Sequence, residues 1–202
     1  MSTDNQSSKK SLPTEYFDDV YNQNEDPWDF ENSPYETSKY QATLAALTKE
    51  SYQQVFEIGC SIGVLTKMLA PKCVHLLSVE PAEKAFQKAK KRVQDFPNVQ
   101  VEKMLVPNDF PQEQFDLILL SEVGYYLSKA DLEKLAELMI DHLLPGGQLL
   151  LVHWTPFVPD YPQTGDEVHD FFMDLCRQKK HLKHLKYQRE EKFRLDLFEK
   201  AD

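Results

Sequence analysis

Along the chain, short runs of β-branched and leucine-rich positions alternate with longer stretches whose apolar residues recur every three or four positions, which predicts strands alternating with crossover helices. The short runs fall at residues 55–58, 74–79, 99–105, 115–121 and 148–154. The fourth and fifth are nearly continuous apolar segments, as expected of strands covered on both faces. Between the strands, Pro81 opens a helix with Ala82, Ala85, Phe86, Ala89 and Val93 on one face. Ser128 with Asp131 caps another that carries Leu132, Leu135 and Met139. Upstream, Ser33, Pro34 and Glu36 form a capping box that starts a helix running to about Leu47. Downstream, Asp166 is the expected cap of a helix presenting Val168, Phe171, Phe172 and Leu175. Residues 185–189 and 193–198 then alternate as two closing strands around a Glu190-Glu191-Lys192 turn. The expected fold is α/β: a Rossmann-like doubly wound sheet of five parallel strands followed by a C-terminal antiparallel hairpin.

Length and composition narrow this picture. A chain of 202 residues that is 41% hydrophobic supports one sizeable core. We therefore expect a flexible polar tail at 1–13 and a single domain at 14–202 with a helical cap over 14–50. The tail has no apolar run and no later stretch could span a bilayer, so neither a leader nor an anchor is expected and the protein is read as cytoplasmic. Cys60, Cys73 and Cys176 show no CxxC spacing, which suits reduced thiols and leaves no metal site expected. A formal charge of -10 opposes a phosphate backbone as partner, because nucleic-acid affinity rests on cationic neutralisation. Arg177, Lys179, Lys180, Lys183, Lys186 and Arg189 crowd one segment against that trend, and a solvated helix end and strand face outweighs an anion-binding patch there. The oligomeric state is not legible.

The chemistry concentrates where strands end. Glu57-Ile58-Gly59-Cys60-Ser61-Ile62-Gly63 ends the first strand in an acid and a glycine turn. This stretch resembles motif I of class I S-adenosylmethionine-dependent methyltransferases. Gly59 permits a tight turn with backbone close to a ligand, Gly63 permits close helix packing, and Glu57 can attract a cationic methionine end. Ser61 departs from the middle glycine usual in that motif, which weighs against a pyrophosphate-bearing cofactor. Glu80 closes the second strand seventeen positions after Gly63, where an acid accepts hydrogen bonds from ribose hydroxyls; it can also cap the helix at Pro81. Ser121, Glu122, Gly124, Tyr125 and Tyr126 follow the fourth strand, at the edge where open α/β sheets collect ligands. Asp116 is read as a brace for the start of that strand. Leu144-Pro145-Gly146-Gly147 is a structural turn, and five of the six glycines lie in these motifs. After the third strand Met104 and Leu105 stand where many relatives place an adenine-binding aspartate, with Asp109 a weak substitute. Met104, Leu105 and neighbouring amides are the expected adenine contacts.

Beyond the general fold, Tyr16-Phe17, Asp26-Pro27-Trp28-Asp29-Phe30, Ser33-Pro34-Tyr35-Glu36, Lys39-Tyr40 and 119–123 resemble the NodS group of methyltransferases over roughly residues 15–155. The resemblance implies S-adenosyl-L-methionine as cofactor and a small-molecule acceptor, with an amine of a saccharide as the narrower expectation. In the N-terminal segment, Tyr16, Trp28 and Tyr35 are expected to close over the cofactor, aromatic faces meeting a sulfonium and Lys39 meeting a carboxylate. The expected cofactor contacts are thus Trp28, Lys39, Glu57, Gly59, Cys60, Gly63, Glu80, Pro81, Met104, Leu105 and Ser121. For the acceptor, Glu122 can take a hydrogen bond or proton, the Tyr125 and Tyr126 hydroxyls can orient it, and His153 at the end of the fifth strand is a candidate base; His169 stands as a further one. Two other classes compete: a non-catalytic S-adenosylmethionine-binding module and an NAD-dependent oxidoreductase.

Overall fold

In the computed structural model, which describes residues 9–179 and 182–201, the alternating segments form a seven-stranded sheet. Its strands are β1 (Tyr52–Ile58), β2 (Cys73–Val79), β3 (Val99–Glu102), β4 (Phe115–Ser121), β5 (Leu143–Trp154), β6 (Leu182–Arg189) and β7 (Phe193–Lys200). They lie in the order β3-β2-β1-β4-β5-β7-β6. Strands β1 to β5 pair in parallel, and β7 runs antiparallel to both β5 and β6. The expected five parallel strands and closing hairpin are therefore present. The helices are α1 (Thr14–Gln23), α2 (Pro34–Ala46), α3 (Val64–Leu69), α4 (Glu83–Arg92), α5 (Lys129–His142) and α6 (Gly165–Lys179).

Two apolar clusters cover the two faces of the sheet. Phe56, Ile118, Leu120, Leu149 and Leu151 face α5 and α6, while Val55, Leu117, Leu119, Leu150 and Val152 face the opposite side with Leu65 and Leu69 of α3. Alternate residues of β4 and β5 thus supply both cores, which is why those strands read as unbroken apolar runs. Asp116 braces its strand as expected, its carboxylate accepting the Gln53 and Gln54 amides at 2.9 Å each.

Element ends depart from expectation where a side chain intervenes. The helix expected at Pro81 begins at Glu83, because the Glu80 carboxylate takes the Ala82 amide at 3.0 Å and Asp18 takes the Glu83 amide at 3.1 Å. Ser33 caps α2 through the Glu36 amide, but the Glu36 carboxylate does not close the box and turns to Lys39. Asp166 is not the cap of α6. Thr164 is, through a reciprocal pair with Glu167 at 3.1 and 2.8 Å, and Asp166 pairs with Arg189 and Arg194. The third strand stops at Glu102, short of Leu105, and β5 extends back through the Pro145-Gly146-Gly147 turn.

Residues 1–8 of the expected tail and Lys180 of the basic cluster lie outside the described residues, as does the Lys179 side chain. Residues 9–13 lie against the body, with Leu12 N–H donating to the Tyr126 carbonyl and Lys9 to the Pro159 and Tyr161 carbonyls. Within the basic cluster, Arg177 pairs with Asp174, Arg189 with Asp166, and Lys186 donates to the Ala45 carbonyl. No helix among the described residues is long and apolar enough to cross a membrane.

Candidate active site

β1 and β4 are neighbours whose crossovers leave in opposite directions, and a cavity of about 460 Å³ opens at their carboxyl ends. Of the residues singled out in the sequence, Gly59, Glu80, Pro81, Met104 and Leu105 line it. So do Trp28, Lys39, Ser121, Glu122 and Tyr125. Glu57 and Cys60 border a smaller adjoining cavity of about 40 Å³, and neither Gly63 nor His153 reaches the large one.

The turn after β1 explains the first group. Gly59 has φ +74°, and a Cβ there would stand 2.2 Å from the Val123 side chain. Gly63 has φ +79° and lets its backbone meet Ala89 of α4, whose Cα would lie 3.0 Å from an added Cβ. Ser61 also adopts a left-handed conformation, at φ 51°. Its amide donates to Glu80 at 2.9 Å and its hydroxyl bonds the Tyr21 hydroxyl, so the serine is anchored at both ends. The Gly59 and Cys60 amides donate to the Val79 carbonyl, and the Gly63 amide to the Cys60 carbonyl. With Ser61 tied to Glu80, these four amides are all engaged by protein oxygens, and a pyrophosphate finds no cradle of them here.

Glu80 is 5% exposed and accepts both the Ser61 and Ala82 amides, one on each oxygen. Burial pushes its carboxyl up to about 7, against the lowering effect of those two amides. A carboxylate offers about four lone-pair sites, so each oxygen keeps capacity for a ligand hydroxyl on the cavity side. Glu57, expected near a cationic ligand, is turned into the sheet and accepts the Ser78 hydroxyl at 2.7 Å, with burial raising its carboxyl. Cys60 is likewise buried, its thiol raised by burial and the nearby Glu57 and Glu80 charges. At the other end of this group, the Leu105 amide is taken by Asp109 at 3.0 Å, which leaves the side chains of Met104 and Leu105 as the surface presented.

The cavity wall also carries an ionic cluster. Lys39 of α2 lies 2.6 Å from Glu122 and 3.0 Å from Glu36, almost fully buried. Burial lowers the lysine, and the Glu122 and Glu36 charges more than offset this, leaving its ammonium raised. Glu122 sits at φ 58°, held by its own amide to Val152 O at 2.9 Å and by its carboxylate, which accepts the Trp154 amide at 3.0 Å and the Tyr125 hydroxyl. Burial and the Glu122 charge raise the Tyr125 phenol well above its ordinary value, so it stays a donor. Among the described residues, Glu36 Oε2 and the Tyr35 hydroxyl are buried with no hydrogen-bond partner within bonding distance, and both residues line the cavity.

His153 is not a base in this cavity. It is fully buried beneath the turn, its Nε2 faces the Gly124 amide at 3.0 Å and its Nδ1 faces His169 at 3.0 Å, so neither nitrogen is open to an acceptor. His169 is committed in turn to Asp196 at 2.7 Å and is equally enclosed.

Several lining residues escaped the sequence reading. Phe17, not Tyr16, faces the cavity from α1, together with Tyr21 one turn on; their spacing of four was the available signal. Glu36, Trp154 and Tyr161 also line it, beside the expected Tyr126, with Tyr125, Tyr126 and Tyr161 in mutual ring contact at 4.6 to 5.1 Å.

A sheet of this order with one antiparallel strand beside β5, and a cavity above β1 and β4, defines the class I methyltransferase fold. The chain belongs to the nodulation protein S (NodS) family, whose model matches residues 18–153. It is 36% identical to a Pseudomonas syringae protein assigned as a methyltransferase, over 82% of this chain and 99% of that one, with TM-score 0.71. Its backbone also resembles N-methyltransferase NodS from Bradyrhizobium japonicum WM9 in complex with S-adenosyl-L-homocysteine, at TM-score 0.81 and 22% identity, covering 94% and 99% of the two chains. Nodulation protein S of Rhizobium tropici is 29% identical over 128 residues, 62% of this chain and 54% of that protein. The chain spans between 50% and 61% of the length of the curated relatives it matches.

Proposed function

We propose that this protein is an S-adenosyl-L-methionine-dependent methyltransferase acting on a small-molecule acceptor, with an amine nitrogen as the methylated atom. The observation that carries the reading is one cavity lined by Gly59, Ser61 and Glu80 together with Lys39, Glu36 and Glu122. The residues fit the cofactor. Glu80 has spare acceptor capacity for ribose hydroxyls, Met104, Leu105 and Pro81 offer apolar surface for adenine, and the orphaned Glu36 oxygen can accept an α-ammonium. Lys39 complements a carboxylate, and Trp28 offers a ring face to a cation. One ammonium against two carboxylates leaves this cluster net anionic, which suits a cofactor whose sulfonium makes it net cationic.

When bound, S-adenosyl-L-methionine supplies a methyl group already activated on a sulfonium. The protein's share is then positioning, water exclusion and handling of one proton. Glu122 accepts a hydrogen bond from the acceptor N–H, aims the nitrogen lone pair, and takes the proton that the nitrogen sheds. Tyr125 holds Glu122 by donating to it. The Phe17, Tyr126 and Tyr161 rings cover the acceptor and keep water out. A saccharide amine is the first acceptor to test, because aromatic rings also stack on sugar faces and relatives named NodS are N-methyltransferases. The net charge of -10 supports a small molecule over nucleic acid. The free thiols of Cys60, Cys73 and Cys176 support a reducing, cytoplasmic setting.

The test is calorimetric titration with S-adenosyl-L-homocysteine, with NAD as control, followed by transfer of labelled methyl to a panel of amines and amino sugars. Binding with transfer supports the proposal. Binding without transfer to any acceptor supports a cofactor-binding module, and NAD binding in its place removes the cofactor assignment.

A further inference from the structure

A buried chain of polar groups runs beneath the turn that carries Glu122 and Tyr125, and the mechanism above does not use it. Its members come from four segments: Gly124 after β4, His153 on β5, His169 on α6 and Asp196 on β7. The two imidazoles and the carboxylate are all fully buried. The direction of each bond follows from chemistry. The Gly124 amide can only donate, so His153 Nε2 carries no proton and accepts it, at 3.0 Å. The His153 proton is then on Nδ1 and is donated to His169 Nε2, at 3.0 Å. That leaves the His169 proton on Nδ1, donated to Asp196 Oδ2, at 2.7 Å. Asp196 also accepts Arg194 Nε at 2.8 Å and lies 2.7 Å from His184 Nε2, so its charge is fully partnered. Every member is satisfied in only one arrangement, which is the condition under which a buried polar network rigidifies its surroundings.

The far end of the chain meets the backbone at a sensitive place. Gly124 is packed so closely that a Cβ would stand 2.7 Å from Val168 and 3.0 Å from His153 Nε2. Two residues earlier Glu122 holds a left-handed conformation rare for a side-chain-bearing residue, which persists only where the surroundings enforce it. One residue later Tyr125 directs its hydroxyl to that same Glu122.

We propose that His153, His169 and Asp196 form a positioning relay that acts through the Gly124 amide to hold the Glu122 carboxylate in its strained, cavity-facing conformation. The inference rests on the assignment of Glu122 to the acceptor end of the cavity. The three side chains touch no substrate; they set the geometry of a residue that does.

The full-length protein tests this in three forms: wild type, His169→Leu and His169→Gln. Glutamine keeps one acceptor for His153 and one donor for Asp196, whereas leucine removes both. Long-range proton–nitrogen correlation spectra of the wild type should show His153 and His169 as neutral Nδ1–H tautomers; an Nε2–H tautomer at His153 overturns the relay. Hydrogen exchange at the Gly124 amide should quicken in His169→Leu and stay near wild type in His169→Gln; equal exchange in all three forms overturns it too. On an acceptor taken from the amine panel, His169→Leu should lower kcat about tenfold to a hundredfold and His169→Gln should restore most of it. S-adenosyl-L-homocysteine affinity should stay at the wild-type level in both variants. Equal loss of kcat in both variants, or a loss of cofactor affinity in place of kcat, refutes the relay. If wild type itself methylates no amine, the assignment of Glu122 fails, and the tautomer and exchange measurements still decide whether the relay exists.

Discussion

The proposed cofactor site is tested most directly at Glu80. It is buried, both oxygens bond backbone amides, and it lines the cavity. Two ribose hydroxyls donating to a carboxylate contribute about 1.5 to 3 kcal/mol each. Glu80→Ala is therefore expected to weaken S-adenosyl-L-homocysteine binding by about 3 kcal/mol or more, at least about a hundredfold. Thermal shift makes the loss easy to read. Ligand at a hundred times its Kd stabilises by about 2.7 kcal/mol, and after a hundredfold loss of affinity the same concentration stabilises by only about 0.4 kcal/mol. For a chain of this size that is a ligand-induced rise in Tm of roughly 5 to 10 °C falling to about 1 °C. The same side chain sets a pH dependence. With its carboxyl raised to about 7, Glu80 is largely protonated in the free protein at pH 6, and donors on the ligand favour the ionised form. Affinity should therefore rise as pH increases through about 7 and level off above about 8. Stability of the free protein moves the opposite way. A folded-state value above the ordinary 4.5 favours the protonated form, so this contribution is fully present below about 4.5 and is lost as pH rises through about 7, on the order of 3 kcal/mol at 1.36 kcal/mol per pH unit. Calorimetry at four pH values on wild type and Glu80→Ala checks both parts. A mutant that binds within a factor of two of wild type, or a wild-type affinity that is flat from pH 5.5 to 8.5, refutes the reasoning.

Other substitutions probe the remaining parts of the site. Gly59→Ala places a methyl group 2.2 Å from Val123 at φ +74°, and should cost about 1 to 2 kcal/mol for the left-handed backbone alone, with more for the clash, read by urea denaturation. Lys39→Met leaves Glu36 and Glu122 facing one another in a buried site and should destabilise by about 3 to 5 kcal/mol, partly recovered by adding Glu36→Gln. Tyr125→Phe removes the hydroxyl that holds Glu122 and should lower kcat on an amine acceptor while leaving S-adenosyl-L-homocysteine affinity unchanged, as read by steady-state kinetics beside calorimetry. Thr164→Ala should cost about 1 kcal/mol through loss of the α6 cap, seen in the urea midpoint, without changing cofactor affinity.

What could be read from the chain and what could not divides along physical lines. The central strands were legible because burial on both faces writes an unbroken apolar run, and the hairpin because Phe193, Leu195 and Leu197 of β7 pack in the apolar core while the alternating Arg194 and Asp196 carry a buried ionic network. The Gly59 turn and Glu80 were legible for a related reason: both lie at strand ends, and their spacing is set by one βα unit. Errors arose wherever a competing partner captured a side chain. Glu36 fits a capping box by spacing, but buried Lys39 is the stronger partner and takes its carboxylate. Asp166 looks like a cap, but Arg189 and Arg194 claim it across the hairpin and leave Thr164 to start the helix. His153 reads as a lone polar group at a strand end; its partners are sixteen residues on at His169 and, beyond that, twenty-seven further at Asp196. No local pattern encodes the pairings of Asp166 and His153, which become visible only when the sheet order sets β7 beside β5. The strand-end turns around Gly59 and Glu80 were thus open to sequence reasoning. The rest of the cavity wall is assembled from α1, α2, the turn after β4 and the segment around Tyr161, whose chemistry depends on how those distant pieces meet. We propose that specificity resides in this part of the cavity, the part least constrained by the fold itself, so the acceptor is to be sought by experiment on Glu122 and the rings around it.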